Sequence, residues 1–212
     1  MKLRIMLMLL VLLPMSLKAQ EQETLFAHPI DHGGFGALVI KGTQIADEPA
    51  LLMGMYGGWL IDHQFMIGIG GYGLVNMIPA SRIAEQVYNF DGDRMAIGLG
   101  YGGLMLEYIV APTKLLHLNV QTLIGAGSAT YMYDWYDEWD DDFWNDDAWD
   151  DRHDLFFVLE PAVHAELNLT TWFRIAGGVS YRYITGMNRL ADLNNNDLSG
   201  ISGNLSLKFG AF

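Results

Sequence analysis

The stretch that decides the fold is LFFVLEPAVHAELNLTTWFRIAGGVSYRY, which runs from Leu155 to Tyr183. It predicts two β-strands joined by a tight turn at residues 168–171, because polar and apolar side chains alternate along both halves. Successive side chains of a strand point to opposite faces, so each strand presents one polar and one apolar face. The polar faces carry Glu160, His164 and Glu166 on the first strand, and Arg174 and Arg182 on the second.

The same alternation recurs along the chain and predicts eight strands in all. In one segment His117 shares a face with Asn119 and Gln121, and in the last segment Lys208 shares a face with Asn204. Most segments exceed the roughly 5 or 6 residues usual in soluble sheets, and a strand tilted across a bilayer needs about 9 to 11. The predicted strands are residues 34–43, 51–60, 65–75, 95–110, 115–132, 155–168, 173–184 and 198–212.

The connections between these segments alternate in length. The short ones are residues 61–64, 111–114 and 169–172, and the long ones are 44–50, 76–94, 133–154 and 185–197. In an up-and-down barrel this alternation places every short turn at one end and every long loop at the other, as in outer-membrane barrels. We therefore expect an all-β, eight-stranded antiparallel up-and-down transmembrane β-barrel. The alternative fold is a soluble periplasmic β-barrel.

The N-terminus has the pattern of a cleavable secretory signal peptide. Lys2 and Arg4 give a positive start, residues 5–17 form an apolar run, and cleavage is expected after Ala19. This run is shorter than the roughly 20 apolar residues of a transmembrane helix, so a retained anchor is the weaker alternative. The chain has no cysteine, and hence no lipid-modified cysteine and no disulfide framework. The expected organisation is a signal peptide at 1–19, an N-terminal extension at 20–33 and the barrel at 34–212.

The polar faces of the predicted strands are expected to line the interior of the barrel. Charged groups in a narrow interior are costly unless they are paired, and acids and bases occur here in similar numbers. An eight-stranded barrel is just wide enough for side chains to fill it. We therefore expect an ion-pair network that plugs the lumen. Its predicted members are Glu160, His164, Glu166, Arg174, Arg182, His117 and Lys208.

The most distinctive segment is DWYDEWDDDFWNDDAWDDRHD, which lies in the predicted external loop 133–154. Its many acids account for much of the net charge of −13 and would repel the phosphates of nucleic acid. Clustered carboxylates can bind Ca²⁺, and tryptophan faces can stack on cations, so we expect a cationic or divalent-ion surface ligand and no other cofactor. The alternatives are a solvated, extended loop and a short helix with one tryptophan stripe. The candidate binding residues are Trp135, Asp137, Trp139, Asp141, Trp144, Asp146, Trp149 and Asp150.

Glycine and aromatic residues give two further expectations. The apolar alternation shifts by one residue at Gly70 and Gly71, which predicts a bulge or bend that lets a small barrel close. The functional alternative is a glycine-lined ligand slot. Aromatic residues collect near the strand ends, as rings at two membrane interfaces would. The predicted bands are Trp59, Phe65, Tyr108, Trp172, Phe173 and Phe212 at the short-turn end, and Tyr131, Tyr133, Phe156, Tyr181 and Tyr183 at the loop end.

The end of the chain is SLKFGAF, residues 206–212. Together with the signal peptide and the eight alternating strands, it resembles small outer-membrane β-barrel proteins of Gram-negative bacteria. The resemblance implies an outer-membrane location, contact with outer-membrane lipid and insertion by the barrel-assembly machinery, but no reaction. Phe212 is out of phase with Phe209, so we expect either a bulge at Gly210 and Ala211 or a less standard end signal.

The expected function is a non-enzymatic outer-membrane barrel that is structural or binds surface ligands through long external loops. One alternative is a narrow channel for small solutes. A less favoured alternative is a lipid-modifying enzyme that uses His164, Glu166 and Ser180, although Ser180 lies in no nucleophile motif. Residues 192–197 are similar to the start of a calcium-binding loop but lack its required glycine, so they predict a turn.

Overall fold

A computed structural model describes residues 31–88, 95–133 and 152–212. These residues form eight long β-strands, one short strand and two short helices. The elements are β1 His32–Ile45, β2 Glu48–Ile61, β3 Phe65–Leu74, β4 Ile78–Pro79, α1 Arg82–Val87, β5 Met95–Val110, β6 Leu116–Tyr133, β7 His153–Asn168, β8 Phe173–Thr185, α2 Asn195–Leu198 and β9 Gly200–Ala211. Neither of these two helices is long and apolar enough to cross a membrane.

All the strands belong to one antiparallel sheet that closes on itself. Each long strand pairs with the long strands that precede and follow it in the chain, so β3 pairs with β5. The short strand β4 pairs with β5 at Ala96 and Ile97, near the start of β5. The first and last strands close the sheet through a continuous register from Gly34 opposite Ala211 to Gly42 opposite Gly203. The predicted eight-stranded antiparallel up-and-down barrel is therefore confirmed.

The two faces of the wall have opposite chemistry. Along β7, buried and exposed residues alternate from Asp154 to Glu166. Glu160 and Glu166 point inward and are buried, whereas Val163 points outward and is 48% exposed. The outer wall carries apolar side chains on every long strand, among them Leu38, Met53, Ile67, Leu104, Leu118, Val179 and Leu205. The strand period of two residues thus separates a polar interior from an apolar exterior.

The connection between β1 and β2 differs from the prediction. Residues 44–50 were expected to form a long loop, but β1 extends to Ile45 and β2 begins at Glu48. The intervening Ala46 and Asp47 have positive φ angles of 49° and 64°, as both residues of a type I′ hairpin turn do. Gln44 and Glu48, whose polarity suggested a loop, instead belong to β1 and β2, which extend beyond the apolar part of the wall. The strict alternation of short and long connections was therefore wrong at this hairpin.

The predicted shift at Gly70 and Gly71 is also absent. Strand β3 pairs without interruption with both β2 and β5 through these residues, so Tyr72 keeps the inward phase and is buried. Inward-facing glycines are instead required by close approach of the strands. A Cβ atom on Gly68 would overlap the carbonyl oxygen of Gly57, whereas one on the outward-facing Gly73 would have no neighbour nearer than 3.9 Å. Glycine at inward positions thus lets neighbouring strands meet in a narrow barrel.

The aromatic bands were predicted only in part. Trp59, Phe65, Tyr108 and Trp172 are exposed at the short-turn end, and Tyr181 and Tyr183 are exposed at the loop end. Tyr131 and Phe156 instead point into the interior, where both are buried. These two placements in the outer band were wrong: Phe156 has the phase of the inward-facing Glu160 on β7, and Tyr131 has the phase of the inward-facing His117 on β6, so the strand period assigns both to the interior.

The C-terminal residue also points inward. Strand β9 pairs with β1 through Gly210 and Ala211 without a bulge, so the expected bulge is absent. Phe212 packs on Phe35 with ring centroids 5.3 Å apart, and its ring lies 3.8 Å from the guanidinium carbon of Arg174. The outward aromatic at this end of β9 is Phe209. Phe212 therefore closes the short-turn end of the interior and does not belong to the outer band.

Candidate functional site

The interior of the barrel holds most of the residues that the sequence singled out. Its lower part, near the short turns, is organised around the carboxylate of Glu166 on β7. Arg174 Nη1 donates to Glu166 Oε1 at 3.0 Å, and His117 Nε2 lies 3.2 Å from the same oxygen. The ammonium of Lys208 contacts both Glu166 and Glu107. All five side chains are buried, so one lysine on β9 neutralises carboxylates on two other strands.

A second cluster surrounds Glu160, higher in the barrel. Lys41 Nζ donates to Glu160 Oε1 at 2.8 Å, and Ser180 Oγ donates to the same oxygen at 2.6 Å. The Tyr101 hydroxyl donates to Glu160 Oε2 at 2.8 Å. The ammonium of Lys41 also lies 3.3 Å from the ring centroid of Tyr72, a cation–π contact. A buried carboxylate is thus paired with a cation and hydrogen-bonded at both oxygens, as the desolvation of its charge requires.

Amide side chains and one histidine join the two clusters. Asn119 Nδ2 donates to Glu166 Oε2 at 2.7 Å, and Asn119 Oδ1 lies 3.0 Å from His164 Nδ1. His164 Nε2 lies 3.3 Å from Asn204 Nδ2, and Ser180 Oγ lies 3.4 Å from Asn204 Oδ1. These partners fit a neutral imidazole that donates from Nδ1 and accepts at Nε2. Polar contacts therefore run continuously from Arg174 near the short turns up to Lys41.

Arg182 is buried in the same interior but is not paired with Glu160. Its Nε donates to the Leu198 carbonyl oxygen of α2 at 2.6 Å. Its guanidinium lies beside Tyr101, with the guanidinium carbon 5.9 Å from the ring centroid. Among the described residues, neither Nη1 nor Nη2 makes a hydrogen bond of good geometry, and no carboxylate forms an ion pair with the guanidinium. Glu160 and Arg182 lie between the paired positions Leu159–Tyr183 and Ala162–Ser180, yet the Glu160 carboxylate pairs with Lys41. The expected place of Arg182 in the ion-pair network was therefore wrong.

Two charged members of the interior were missed by the sequence prediction. Lys41 on β1 and Glu107 on β5 are both buried, and each forms an ion pair. Glu107 also accepts hydrogen bonds from the Tyr56 hydroxyl at 3.1 Å and from Gln121 at 3.4 Å. Each is the only charged residue of its strand. A lone charge in an apolar membrane strand must point inward, and this rule could have identified both residues.

The upper part of the interior is apolar. Tyr131 and Phe156 from the wall are buried in one cluster with Met187, Leu190 and Leu198 from the segment between β8 and β9. This segment is fixed to the barrel by hydrogen bonds. Asp154 Oδ2 accepts from the backbone N–H groups of Asn188 and Arg189, at 2.6 and 2.7 Å. The Tyr131 hydroxyl donates to the Ala191 carbonyl at 2.7 Å. Residues 186–199 therefore fold over the loop end of the barrel.

Little free space remains between the two clusters of charge. A cavity of about 10 Å³ lies in the middle of the interior, which is room for about one water molecule. It is lined by Lys41, Glu160, His164, Asn204 and Gln121, among others. Such a water would have several polar partners. The cavity is far smaller than the few hundred Å³ of an ordinary ligand site.

The interior lacks the geometry of the hydrolase that was weighed as an alternative. Ser180 donates to Glu160, and His164 is held between Asn119 and Asn204, so serine and histidine are not hydrogen-bonded to each other. The described part of the chain contains no group of three side chains suited to hold a metal ion. Asn194 and Asp197 of the supposed calcium loop form the capping box of α2, as expected of a turn.

The predicted surface-binding residues lie outside the described residues. They are Trp135, Asp137, Trp139, Asp141, Trp144, Asp146, Trp149 and Asp150. The expected Ca²⁺ ligand and the expected cationic surface ligand depend on this segment.

Comparisons with known proteins place the fold. No protein-family model matches the sequence, and no curated protein matches it. The structure of Neisserial surface protein A (NspA) is similar with a TM-score of 0.55 and 12% sequence identity, covering 87% of this chain and 99% of NspA. Ail of Yersinia pestis, solved with the heparin analogue sucrose octasulfate, has a TM-score of 0.47 at 8% identity, covering 85% of this chain and 98% of Ail. A major outer membrane protein from Thermus thermophilus has a TM-score of 0.46 at 7% identity, covering 84% and 98% of the two chains. With its closed antiparallel barrel and its likeness to NspA, this chain has the fold of the small eight-stranded outer-membrane β-barrel proteins.

Proposed function

We propose that this protein is a non-enzymatic outer-membrane β-barrel that binds ligands at its loop end and has no reaction or transport route in its interior. The observation that carries the proposal is that side chains fill the interior, which is enclosed by a wall with an apolar outer face. Side chains occupy the lumen from Phe212 at the short turns to Leu198 at the loop end. In a barrel whose interior is filled, the loops are the part that remains available to bind ligands.

The outer wall supports location in a membrane. Exposed apolar side chains such as Ile69, Phe157 and Ile201 would be costly in water and favourable against acyl chains. The signal-like segment 1–19 supports export. NspA is named a surface protein, which agrees with the outer membrane as the location. Outer-membrane lipid and, during insertion, the barrel-assembly machinery are the partners that follow.

A plugged lumen is part of the same proposal. The interior combines a polar network with an apolar cluster, and the central cavity has room for about one water molecule. A channel for small solutes would need a continuous aqueous path past Lys208, Glu160 and Leu198, all of which are buried. Purified barrel in planar bilayers should therefore give no unitary conductance. Steps that disappear on filling the central cavity with Ala162→Leu would support a channel instead.

The acidic, tryptophan-rich segment supports a surface-binding role. Eleven carboxylates within residues 134–154 would attract divalent or polycationic ligands, and the tryptophans add faces for cation–π contact. The ligand class that fits is a divalent cation such as Ca²⁺ or a positively charged surface polymer.

The test compares two sets of acidic residues, one in the tryptophan-rich segment and one in the β1–β2 turn. One variant replaces Asp137, Asp141, Asp146 and Asp150 by Asn, and the matched control replaces Asp47 and Glu48 of the β1–β2 turn by Asn and Gln. Binding of Ca²⁺ and of oligolysine to the folded barrel in detergent micelles would be measured by calorimetry. We expect the first variant to lose most of the binding and the control to keep it. Equal binding by both variants and the parent would contradict the proposed role.

Deletion of residues 137–151 completes the test. The deleted chain should still fractionate with outer membranes and show the heat-dependent gel migration of a folded barrel. If the deletion abolishes folding, the segment is structural and the proposed binding role is wrong.

A further inference from the structure

The charged side chains of the interior are sorted by strand. The two buried lysines of the described barrel, Lys41 and Lys208, lie on β1 and β9, the strands whose pairing closes the sheet. Both buried arginines lie on β8, and the buried glutamates lie on β5 and β7. The seam strands therefore carry the long flexible cations, and the strands on the other side of the lumen carry the carboxylates.

Both lysines reach across the lumen to these carboxylates. Lys41 on β1 pairs with Glu160 on β7, 119 residues away, and β8 and β9 lie between the two strands. Lys208 on β9 pairs with Glu107 on β5, 101 residues away, and with Glu166 on β7. None of these contacts joins strands that are neighbours in the sheet. They hold the two edge strands independently of the hydrogen-bond ladder.

The ion pair between Arg174 and Glu166 is different in kind. Its partners lie on the adjacent strands β7 and β8 of one hairpin and are only 8 residues apart in sequence. This pair can form as soon as the hairpin forms, because its loop is short. The carboxylate of Glu166 thus takes part in two ion pairs, a local one with Arg174 and one with Lys208, which is distant in sequence.

Closing the seam is the contact with the highest entropic cost. It brings Gly34 and Ala211, near the two ends of the described barrel, into register. Contacts between residues far apart in sequence form late, because the chain between them must be ordered first. Until that point β1 and β9 are both unpaired edges, which can pair with other chains.

We propose that Lys41 and Lys208 act as ties that close the β1–β9 seam by drawing each edge strand toward glutamates on the non-adjacent strands β5 and β7. The carboxylates of Glu107, Glu160 and Glu166 lie in the part of the wall built from β5 to β8, whose hairpins are local. Glu107 and Glu160 gain their cations, and Glu166 gains its second one, only when β9 or β1 takes its final position. Leaving a buried charge without its partner is strongly unfavourable, so the half-closed barrel is penalised and the closed barrel is favoured.

The test uses two disulfide reporters in a chain that has no natural cysteine. Ile40 and Leu205 face each other across the seam, and both point outward. Val163 and Val179 face each other in the β7–β8 hairpin and also point outward. Directly opposite residues of an antiparallel pair lie close enough for cysteine cross-linking. Each reporter pair is placed in a separate chain, unfolded in urea and refolded into phosphatidylcholine vesicles, and the cross-link is trapped at timed intervals.

We expect Lys208→Met to slow cross-linking at the seam by about tenfold and at the hairpin by less than about twofold, since the effect should fall on the late contact. Arg174→Met is the matched control, because it also removes one cation from Glu166. It should slow the seam by less than about twofold. Equal slowing of both reporters by Lys208→Met, or equal slowing of the seam by both substitutions, would overturn the proposal.

A second variant covers the case in which Lys208→Met does not fold. Lys41→Met combined with Glu160→Gln removes one tie together with both of its charges, while the amide can still bind Ser180 and Tyr101. The seam should then close at least about threefold more slowly than in the parent, with the hairpin rate unchanged. A seam rate equal to that of the parent would overturn the proposal.

Discussion

The lower and upper halves of the barrel interior differ in chemistry, although apolar side chains such as Leu60 and Met66 are buried near the short turns as well. The lower half holds charged and amide side chains that satisfy one another from Arg174 up to Lys41, whereas the upper half packs apolar side chains against residues 186–199. A polar network depends on each partner, because one deletion leaves a buried charge unpaired. An apolar cluster loses only transfer free energy and cavity energy when a side chain is truncated. The two halves should therefore respond differently to substitution.

The largest effect is expected in the polar half. Lys208→Met leaves the buried carboxylates of Glu107 and Glu166 without their shared cation, so the free energy of unfolding should fall by about 3–5 kcal/mol. Urea unfolding in vesicles, followed by tryptophan fluorescence, would measure the loss. Lys114→Met, in an exposed short turn, is the control and should change stability by less than about 0.5 kcal/mol. Equal stability of the two variants would contradict a required polar network.

A smaller effect is expected in the apolar half. Leu198 is fully buried in the cap, the segment of residues 186–199 that folds over the loop end of the barrel. Leu198→Ala should therefore lower the free energy of unfolding by about 2–4 kcal/mol through lost burial and a cavity. Leu169→Ala, in an exposed turn, should cost less than about 1 kcal/mol in the same urea measurement. If both substitutions cost the same, the cap does not pack as described.

Removing the hydrogen bonds between the cap and the wall should loosen the cap without loosening the strands of the barrel. Asp154→Ala removes the acceptor of the Asn188 and Arg189 N–H groups, a loss of about 1–3 kcal/mol. Hydrogen exchange at these two amides should accelerate strongly, while the amides of β7 near Val163 keep their protection. Unchanged exchange at Asn188 would show that Asp154 does not fix the cap.

The smallest effect is expected at Arg182, which lies between the two halves. Its guanidinium is buried with two nitrogens unpartnered among the described residues, so Arg182→Met removes one hydrogen bond and one uncompensated charge. These terms oppose each other, and stability should change by less than about 1 kcal/mol. Arg174→Met, which removes a paired arginine of the same strand, should cost at least twice as much in the same urea experiment. A larger loss for Arg182→Met would mean that this arginine has a partner in the folded barrel.

The alternation along the chain was sufficient to predict the architecture. Residues 155–183 assigned Glu160, Glu166, Arg174 and Arg182 to one face, and all four are buried in the interior. A period of two residues needs no knowledge of distant strands, which explains why this prediction could be made from local sequence.

Features that depend on the third dimension could not be predicted in this way. The pairing of Lys41 with Glu160, rather than of Arg182 with Glu160, follows from distances across the lumen. The packing of Phe212 against Phe35 and the guanidinium of Arg174 likewise depends on how distant strands meet at the end of the barrel. The turn at Ala46 and Asp47 carries no glycine, the residue that most clearly marks positive φ angles, so the sequence gives only a weak signal for it.

The most direct test of the account measures which side chains touch lipid. The isotope-labelled barrel would be placed in lipid nanodiscs. Nuclear Overhauser effects between methyl groups and lipid acyl chains would then be recorded for inward-facing and outward-facing residues of β7 and β8. The account predicts strong effects at the outward methyl groups of Val163 and Val179 and none at the inward methyl groups of Ala162 and Ala176. Acyl-chain contacts at Ala162 and Ala176, with none at Val163 and Val179, would contradict it.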